Sequence, residues 1–162
     1  MVAEGLPTKV VGKWVASMCS DCQYEDGQGA PFSNYMYVVN MPEVAVDMET
    51  GKTKVEKGTC MVDCGKIINK LVVDGQVYGA LAQGIGLALS EDFEDLNKHT
   101  TLVKCGIPQI EDVPDDLEIH YEEAMRPDGP YGASGVGEGP LAAPHPAILN
   151  AIFNDKKVFV EL

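Results

Sequence analysis

The chain has 162 residues, of which 45% are hydrophobic, and its 12 basic and 25 acidic side chains give a formal net charge of −13. This composition predicts one globular domain over residues 1–162, and the negative charge argues against a nucleic-acid partner. No apolar run approaches the ~20 residues of a membrane span, and the N-terminus lacks a secretion-signal pattern. We therefore expect a cytoplasmic protein without membrane contact.

The five cysteines are an odd number and cannot all pair within one chain. Cys19 and Cys22 have the two-residue spacing of a zinc or redox motif. Cys60 and Cys64 lie in an apolar run, where strand alternation places both on one face like ordinary core residues. We expect reduced thiols, and a small zinc-binding protein built on Cys19 and Cys22 is left as an alternative.

The first half of the chain is predicted to be mainly β-structure. Residues 9–18 are rich in β-forming side chains, and residues 21–33 gather the Asp, Gly, Gln and Pro of an exposed loop. Residues 35–47 and 53–62 are typical of two strands. Gly51 between them supplies the positive φ that a tight connection commonly needs, so the pattern predicts a β-hairpin.

A long helix is predicted over residues 74–92, because large apolar side chains recur one turn apart on a single face. These side chains are Leu81, Ile85, Leu89 and Phe93. The helix also contains Gly75, Gly79, Gly84 and Gly86. Since each glycine is unfavourable in a helix interior by up to about 1 kcal/mol relative to Ala, we expect another element or a ligand to approach this backbone closely.

The second half is predicted to add a strand over residues 117–123, a helix that begins near Pro146 and continues through Ile152, and a final strand over residues 158–160. Two main helices against an antiparallel or mixed sheet make an α+β domain.

A glycine-rich loop precedes the second helix and contains a single carboxylate, Glu138. Its glycines permit unusual backbone angles and let N–H groups approach a bound molecule. The order of residues is neither the dinucleotide fingerprint nor a P-loop. Spacing alone leaves two interpretations open, a flexible surface loop with a solvated glutamate or a loop that holds a general base.

Four motifs follow one another along the chain in a characteristic order and spacing. They are Val62-Asp63-Cys64-Gly65 with Ile68-Asn69, then Asp74-Gly75-Gln76-Val77-Tyr78-Gly79, then Leu81-Ala82-Gln83-Gly84-Ile85-Gly86-Leu87-Ala88-Leu89, and Gly132-Ala133-Ser134-Gly135-Val136-Gly137-Glu138. Together they resemble the molybdenum hydroxylases, which include xanthine dehydrogenases, aldehyde oxidases and aldehyde oxidoreductases. The likeness is greatest to the C-terminal molybdopterin-binding segment of bacterial aldehyde oxidoreductases and covers about residues 7–152.

The resemblance implies that Glu138 is the catalytic base beside the molybdenum. The family's glutamate is not a metal ligand, so we assign no protein ligand to the metal. Gln83 matches the glutamine that hydrogen-bonds the pterin, and its amide offers both a donor and an acceptor to a heterocycle edge. Gly84, next to it, is also expected to bind the cofactor. The residues expected to lie along the cofactor through backbone N–H groups are Ser134, Gly135, Val136 and Gly137.

The resemblance further implies part of a molybdenum-dependent oxidoreductase that hydroxylates aldehydes, to carboxylic acids, or N-heterocycles with water as oxygen source. The cofactor would be molybdenum–molybdopterin, with the cytosine dinucleotide form as one option. Iron–sulfur [2Fe–2S] clusters would belong to the complete enzyme and not to this chain. Partners would be the remaining molybdenum-binding and iron–sulfur domains or subunits, in an oligomer, and a small aldehyde or heterocycle substrate.

The chain alone is expected to be inactive and to bind no molybdopterin tightly. It is also expected to expose apolar surface and to self-associate or dissolve poorly, because other domains would normally cover part of the glycine loop and of the helix that carries Leu81, Ile85 and Leu89. The alternative from another class is a non-catalytic binding or assembly module of the same fold.

Overall fold

The computed structural model describes residues 4–5, 7–16, 19–23 and 25–156. Within them, a three-stranded sheet packs against two helices. The strands and helices in chain order are β1 (Tyr37–Val46), β2 (Thr53–Asp63), α1 (Lys70–Leu89), β3 (Asp116–Glu122) and α2 (Pro144–Lys156). The α+β architecture with two main helices is therefore as predicted, and the strand expected at residues 158–160 lies outside the described residues.

The predicted hairpin is present, with β1 antiparallel to β2. Gly51 has a φ of 74° in the connection, and the Asp47 carboxylate accepts the Thr50 hydroxyl at 2.7 Å and the Glu49 N–H at 2.8 Å. β3 pairs with β2 in the parallel direction, so the sheet is mixed, in the order β1-β2-β3. A parallel pair requires a crossover connection, and α1 lies within it.

Helix α1 begins four residues before the predicted start and ends three residues before the predicted end. Asn69 caps it, because its side-chain oxygen accepts the Val72 N–H at 3.3 Å. At the other end the Ser90 N–H bonds to the Gly86 carbonyl, and Phe93 lies beyond the helix, about half exposed. The helix therefore uses a capping side chain that lies outside the apolar pattern.

Two clusters of buried side chains form the core between the sheet and the helices. The first contains Cys60, Val62, Cys64, Val73 and Val77, and the second contains Val55, Leu81, Ile85 and Ile148. The prediction that Cys60 and Cys64 are core residues is confirmed. On the helix expected to be covered in part by other domains, Leu81 and Ile85 are instead covered within the chain, by Val55 of β2 and Ile148 of α2, and are 4% and 3% exposed.

Apolar side chains do remain exposed elsewhere in the described chain. On the sheet face that points away from the helices, Tyr37, Val39, Met41 and Met61 are between 45% and 64% exposed. The described residues 9–16 form no strand, contrary to expectation, and Val10 and Val11 lie in solvent. The predicted exposed loop at residues 21–33 is confirmed where it is described. None of the described helices has the length and apolarity needed to span a membrane.

Candidate functional site

The glycine loop, residues 129–139, is held where β2 and β3 end. The Gly132 carbonyl accepts the N–H groups of Lys66 at 2.9 Å and Arg126 at 3.0 Å. Gly65 has a φ of 69°, and a Cβ there would collide with that same carbonyl. Only glycine tolerates both this backbone angle and this close approach, so the sequence at the end of β2 permits the loop to pack against it.

A nearly buried ion pair lies under the loop. Arg126 Nη2 is 2.9 Å from the Asp63 carboxylate, and the two side chains are 12% and 16% exposed. Burial alone would raise the pKa of Asp63, but hydrogen bonds from the Gly65 N–H and from Arg126 outweigh it and lower the pKa. The Tyr37 ring lies 5.8 Å from the guanidinium carbon. The pair therefore ties the ends of β2 and β3 together below the loop.

Glu138 lies at the end of the glycine loop and is exposed. Its carbonyl accepts the Leu141 N–H at 3.0 Å, which starts the 3₁₀ turn Gly139–Ala142. Pro140 in that turn is fully buried, and the turn packs against α1. Within the described residues the Glu138 carboxylate makes no hydrogen bond or ion pair. An anionic group is thus presented to solvent from a backbone that is fixed immediately after it.

Gln83 and Gly84 lie on α1 close to this turn, with opposite exposures. Gly84 is buried, and a Cβ on it would lie 2.5 Å from the Pro144 Cβ at the start of α2. Gln83 points outward, and its side-chain amide has no hydrogen-bond partner among the described residues. The contact between α1 and α2 therefore leaves the Gln83 amide available on the outer surface.

The backbone N–H groups from Ser134 to Gly137 differ in whether they have a hydrogen-bond partner within the described chain. The Ser134 N–H donates to the Cys64 carbonyl at 2.8 Å, and its hydroxyl donates to Asn34 Oδ1 at 2.8 Å. The Ser134 N–H is therefore committed within the chain and cannot serve a cofactor. Val136 packs its side chain against the first core cluster. In the described structure the N–H groups of Gly135, Val136 and Gly137 have no partner, and a Cβ on either glycine would meet open space.

Sequence reasoning missed the residues that the N-terminal part of the chain brings to the loop. A cavity of about 310 Å³ is lined by Trp14, Ser33, Asn34, Pro130, Ala133, Ser134 and Gly135. Asn34 and Ser134 are 100 positions apart, and no periodicity connects them. A larger cavity, of about 600 Å³, lies at the C-terminal end of α1 beside Leu89, and no residue of the glycine loop lines it.

The cysteines are divided between surface and core. Cys19 and Cys22 are exposed, whereas Cys60, Cys64 and Cys105 are buried. Burial raises the pKa of Cys60 to about 11, which keeps it a neutral thiol. In the described part of the chain no three His, Cys, Asp or Glu side chains converge as metal ligands would.

The mixed sheet, its two helices and the loop are the architecture of a molybdopterin cofactor-binding domain. Residues 1–114 match the family of that description. This chain belongs to the molybdopterin cofactor-binding domain family. The matched residues include Gln83 and end before the glycine loop.

Three relatives illustrate the similarity. The chain is 58% identical to the aldehyde oxidoreductase of Megalodesulfovibrio gigas over 90% of this chain and 16% of that protein. A solved structure of the aldehyde oxidoreductase from Desulfovibrio gigas superposes with a TM-score of 0.88 and 55% identity, covering 98% of this chain and 18% of that one. The 6-hydroxypseudooxynicotine dehydrogenase complex subunit gamma of Paenarthrobacter nicotinovorans is 36% identical over 74% of this chain and 16% of that protein. The chain spans less than a fifth of these relatives.

The exposed groups fit a pterin cofactor. The Gln83 amide offers a donor and an acceptor, and the three unpartnered N–H groups from Gly135 to Gly137 offer donors. Because Gly135 and Gly137 have no side chain and the space beside them is open, a ligand has room to approach the backbone there. These residues offer hydrogen-bond donors and an acceptor on an open surface. A polar heterocycle could bind to them along one edge.

Proposed function

We propose that this chain supplies the catalytic base and one wall of the cofactor site in a molybdenum-dependent oxidoreductase. The reaction is hydroxylation of an aldehyde or an N-heterocycle with water as oxygen source. The observation that carries the proposal is the exposed Glu138 carboxylate, which has no partner among the described residues and lies beside backbone N–H groups that likewise have none there. A carboxylate without an internal partner is available to take a proton from a reactant.

In this mechanism each group has a separate task. The molybdenum cofactor, when bound, supplies the acceptor for the two electrons that leave the substrate. The Glu138 carboxylate accepts the proton of the water-derived nucleophile at a carboxylate oxygen. Gln83 hydrogen-bonds the pterin edge through its amide, and the N–H groups of Gly135, Val136 and Gly137 orient the cofactor from the loop. Ser134 acts on the loop and not on the cofactor, because its own N–H bonds to Cys64.

The finer assignments belong to the same proposal. Residues 1–162 act as one domain in a cytoplasmic enzyme, and the cytosine dinucleotide is one form that the cofactor can take. The opposite wall of the site and the [2Fe–2S] clusters come from other domains or subunits. The relatives support this arrangement, since each is several times longer than this chain and one is named as a subunit of a complex. The isolated chain is inactive because a buried ligand needs most of its surface enclosed.

The test is Glu138→Gln in the complete molybdenum enzyme that contains this segment. Glutamine keeps the size of the side chain but cannot accept a proton at neutral pH, so kcat should fall by about 10²–10⁴-fold. Molybdenum content should stay normal, because backbone N–H groups and Gln83 hold the cofactor. The matched control is Glu49→Gln in the exposed hairpin turn, which should leave both quantities unchanged.

Two results would contradict the proposal. If Glu138→Gln keeps its molybdenum and turns over within a few-fold of the parent, Glu138 is not the base and the loop only cradles the cofactor. If the complete protein contains no molybdenum at all, the non-catalytic binding or assembly module is the better description.

A further inference from the structure

The segment of residues 33–36, which leads into β1, touches the glycine loop on both sides of Glu138. On the N-terminal side, Asn34 Oδ1 accepts the Ser134 hydroxyl at 2.8 Å. On the C-terminal side, the Met36 side chain packs against Gly139 so closely that a Cβ on Gly139 would lie 2.9 Å from the Met36 Cγ and still closer to the sulfur. We call residues 33–36 the bracing segment.

The Asn34 contact fixes Ser134, the residue of the loop that is hydrogen-bonded to Cys64 just after the end of β2. Ser134 is held from two directions, by its N–H on the Cys64 carbonyl and by its hydroxyl on Asn34. Asn34 is itself oriented, because its Nδ2 donates to Ser33 Oγ at 3.2 Å. Both Asn34 and Ser134 are half-buried, so water competes less with this bond than with a surface one.

The Met36 contact fixes the loop at its other end. Met36 is partly buried and packs against the first core cluster. The core therefore limits how far the side chain can withdraw from Gly139. Since β1 begins at Tyr37, the bracing segment is attached directly to the sheet and moves with it.

Between these two contacts lie only residues 135–138. Two of the four are glycines, and among the described residues the four make no hydrogen bond to one another or to the rest of the glycine loop; the Glu138 carbonyl accepts the Leu141 N–H from the turn that follows. Such a stretch has little internal restraint, and its conformation depends on how its ends are held. Val136 gives it one additional anchor in the core.

We propose that Asn34 and Met36 are positioning residues that set the place of the Glu138 carboxylate by fixing both ends of the stretch of residues 135–138 in the glycine loop. This inference rests on the proposed function of Glu138 as the base. Their contacts are with Ser134 and Gly139, so each acts through the loop. A small displacement of a catalytic group lowers the rate by large factors, up to about 10²-fold for 1 Å, while substrate binding is affected less.

The first test needs no activity and uses the full 162-residue chain. In Asn34→Ala, hydrogen exchange of the Ser134 N–H should accelerate roughly fivefold, since the loss of one net hydrogen bond loosens that end of the loop. The matched control is Thr50→Ala, which removes the hydroxyl bond to Asp47 in the hairpin turn and should leave Ser134 unchanged. Equal exchange in Asn34→Ala and the parent would overturn the inference.

The second test is kinetic and uses the complete enzyme. Asn34→Ala should lower kcat about tenfold while KM and molybdenum content stay within twofold. In a Glu138→Gln background it should cause no further loss, because its effect passes through Glu138. A further tenfold loss in that background, or a change confined to KM, would refute positioning. If Glu138→Gln itself is fully active, the proposed function fails. The hydrogen-exchange rate of Ser134 in Asn34→Ala still decides whether the bracing segment holds the loop.

The third test enlarges the residue on one side of the Met36–Gly139 contact and shortens the residue on the other side. Gly139→Ala should lower kcat because its methyl group meets the Met36 side chain. The double variant Met36→Ala/Gly139→Ala should be more active than Gly139→Ala alone, since truncation of Met36 makes room for that methyl group. Met61→Ala on the exposed sheet face is the control and should give no rescue. If the losses of the two single variants simply multiply in the double variant, the contact does not position the loop.

Discussion

The glycines of α1 allow a direct test of how the helix is packed. Gly84 and Gly79 are both interior positions of the same helix, and alanine is favoured over glycine there by about 1 kcal/mol. Their surroundings differ. A Cβ on Gly79 meets no atom within 4 Å, whereas a Cβ on Gly84 would lie 2.5 Å from the Pro144 Cβ and 3.0 Å from its Cγ. Pro144 is fully buried and its ring is rigid.

The expected magnitudes follow from these contacts. Gly79→Ala should raise the free energy of unfolding by about 0.5–1 kcal/mol, because only the helix preference changes. Gly84→Ala gains the same preference but forces the two helices apart, an overpacking that costs about 1–3 kcal/mol. Since the preference is common to both variants, their difference isolates the steric cost. That difference should be about 1–3 kcal/mol in favour of Gly79→Ala.

Urea unfolding of the 162-residue chain, followed by circular dichroism, measures this difference. With a denaturant slope of about 2 kcal/mol per molar, the two midpoints should be separated by about 0.5–1.5 M, with equal slopes. Gly75→Ala, where a Cβ also meets open space, is the control and should match Gly79→Ala. If Gly84→Ala unfolds at the same or a higher urea concentration than Gly79→Ala, Pro144 does not pack against Gly84 as described.

Two further predictions concern Asp74 and Gln83. Hydrogen bonds from Tyr121 and then Lys70 lower the pKa of Asp74, so its stabilising contribution is present above the unfolded pKa of ~3.9 and is lost as pH falls through the lower folded pKa. Asp74→Asn should therefore unfold at a lower urea concentration than the parent at pH 7, and the two midpoints should converge as the pH falls below the lowered folded pKa of Asp74. A difference between the midpoints that stays the same from neutral to acidic pH would contradict this. Gln83→Ala in the complete enzyme should reduce molybdenum retention more than kcat, since a lost buried hydrogen bond costs about 1–3 kcal/mol; normal metal content with normal activity would remove Gln83 from the site.

The local elements of the fold were predictable from the sequence. Alternation and a glycine with positive φ indicated the hairpin around Gly51, and apolar residues one turn apart, among them Leu81 and Ile85, indicated the helix α1. The helix start was missed by four residues, because the cap comes from Asn69, a polar residue that the apolar pattern does not include. Boundaries set by a single capping bond are the part of a helix that periodicity describes least well.

The candidate site was predictable only in part. The motif around Glu138 and Gln83 indicated which residues to consider, and the structure leaves both side chains exposed and without a partner among the described residues. The motif did not show that the Ser134 N–H is committed to Cys64, or that Asn34 and Met36 meet the loop. These contacts join residues that are 70 to 103 positions apart, and no local pattern encodes them.

By itself the sequence determined the identity of the local elements and the chemistry carried on the loop, because turn geometry and side-chain periodicity act over a few neighbouring residues. Only the tertiary structure decided that β3 runs parallel to β2, that Ile148 covers Leu81 and Ile85, and that the bracing segment lies against the glycine loop. Each of these depends on distant segments coming together. The free energy of such pairings is the balance between the entropy of loop closure and the contacts formed, which is a property of the whole chain and not of any short stretch.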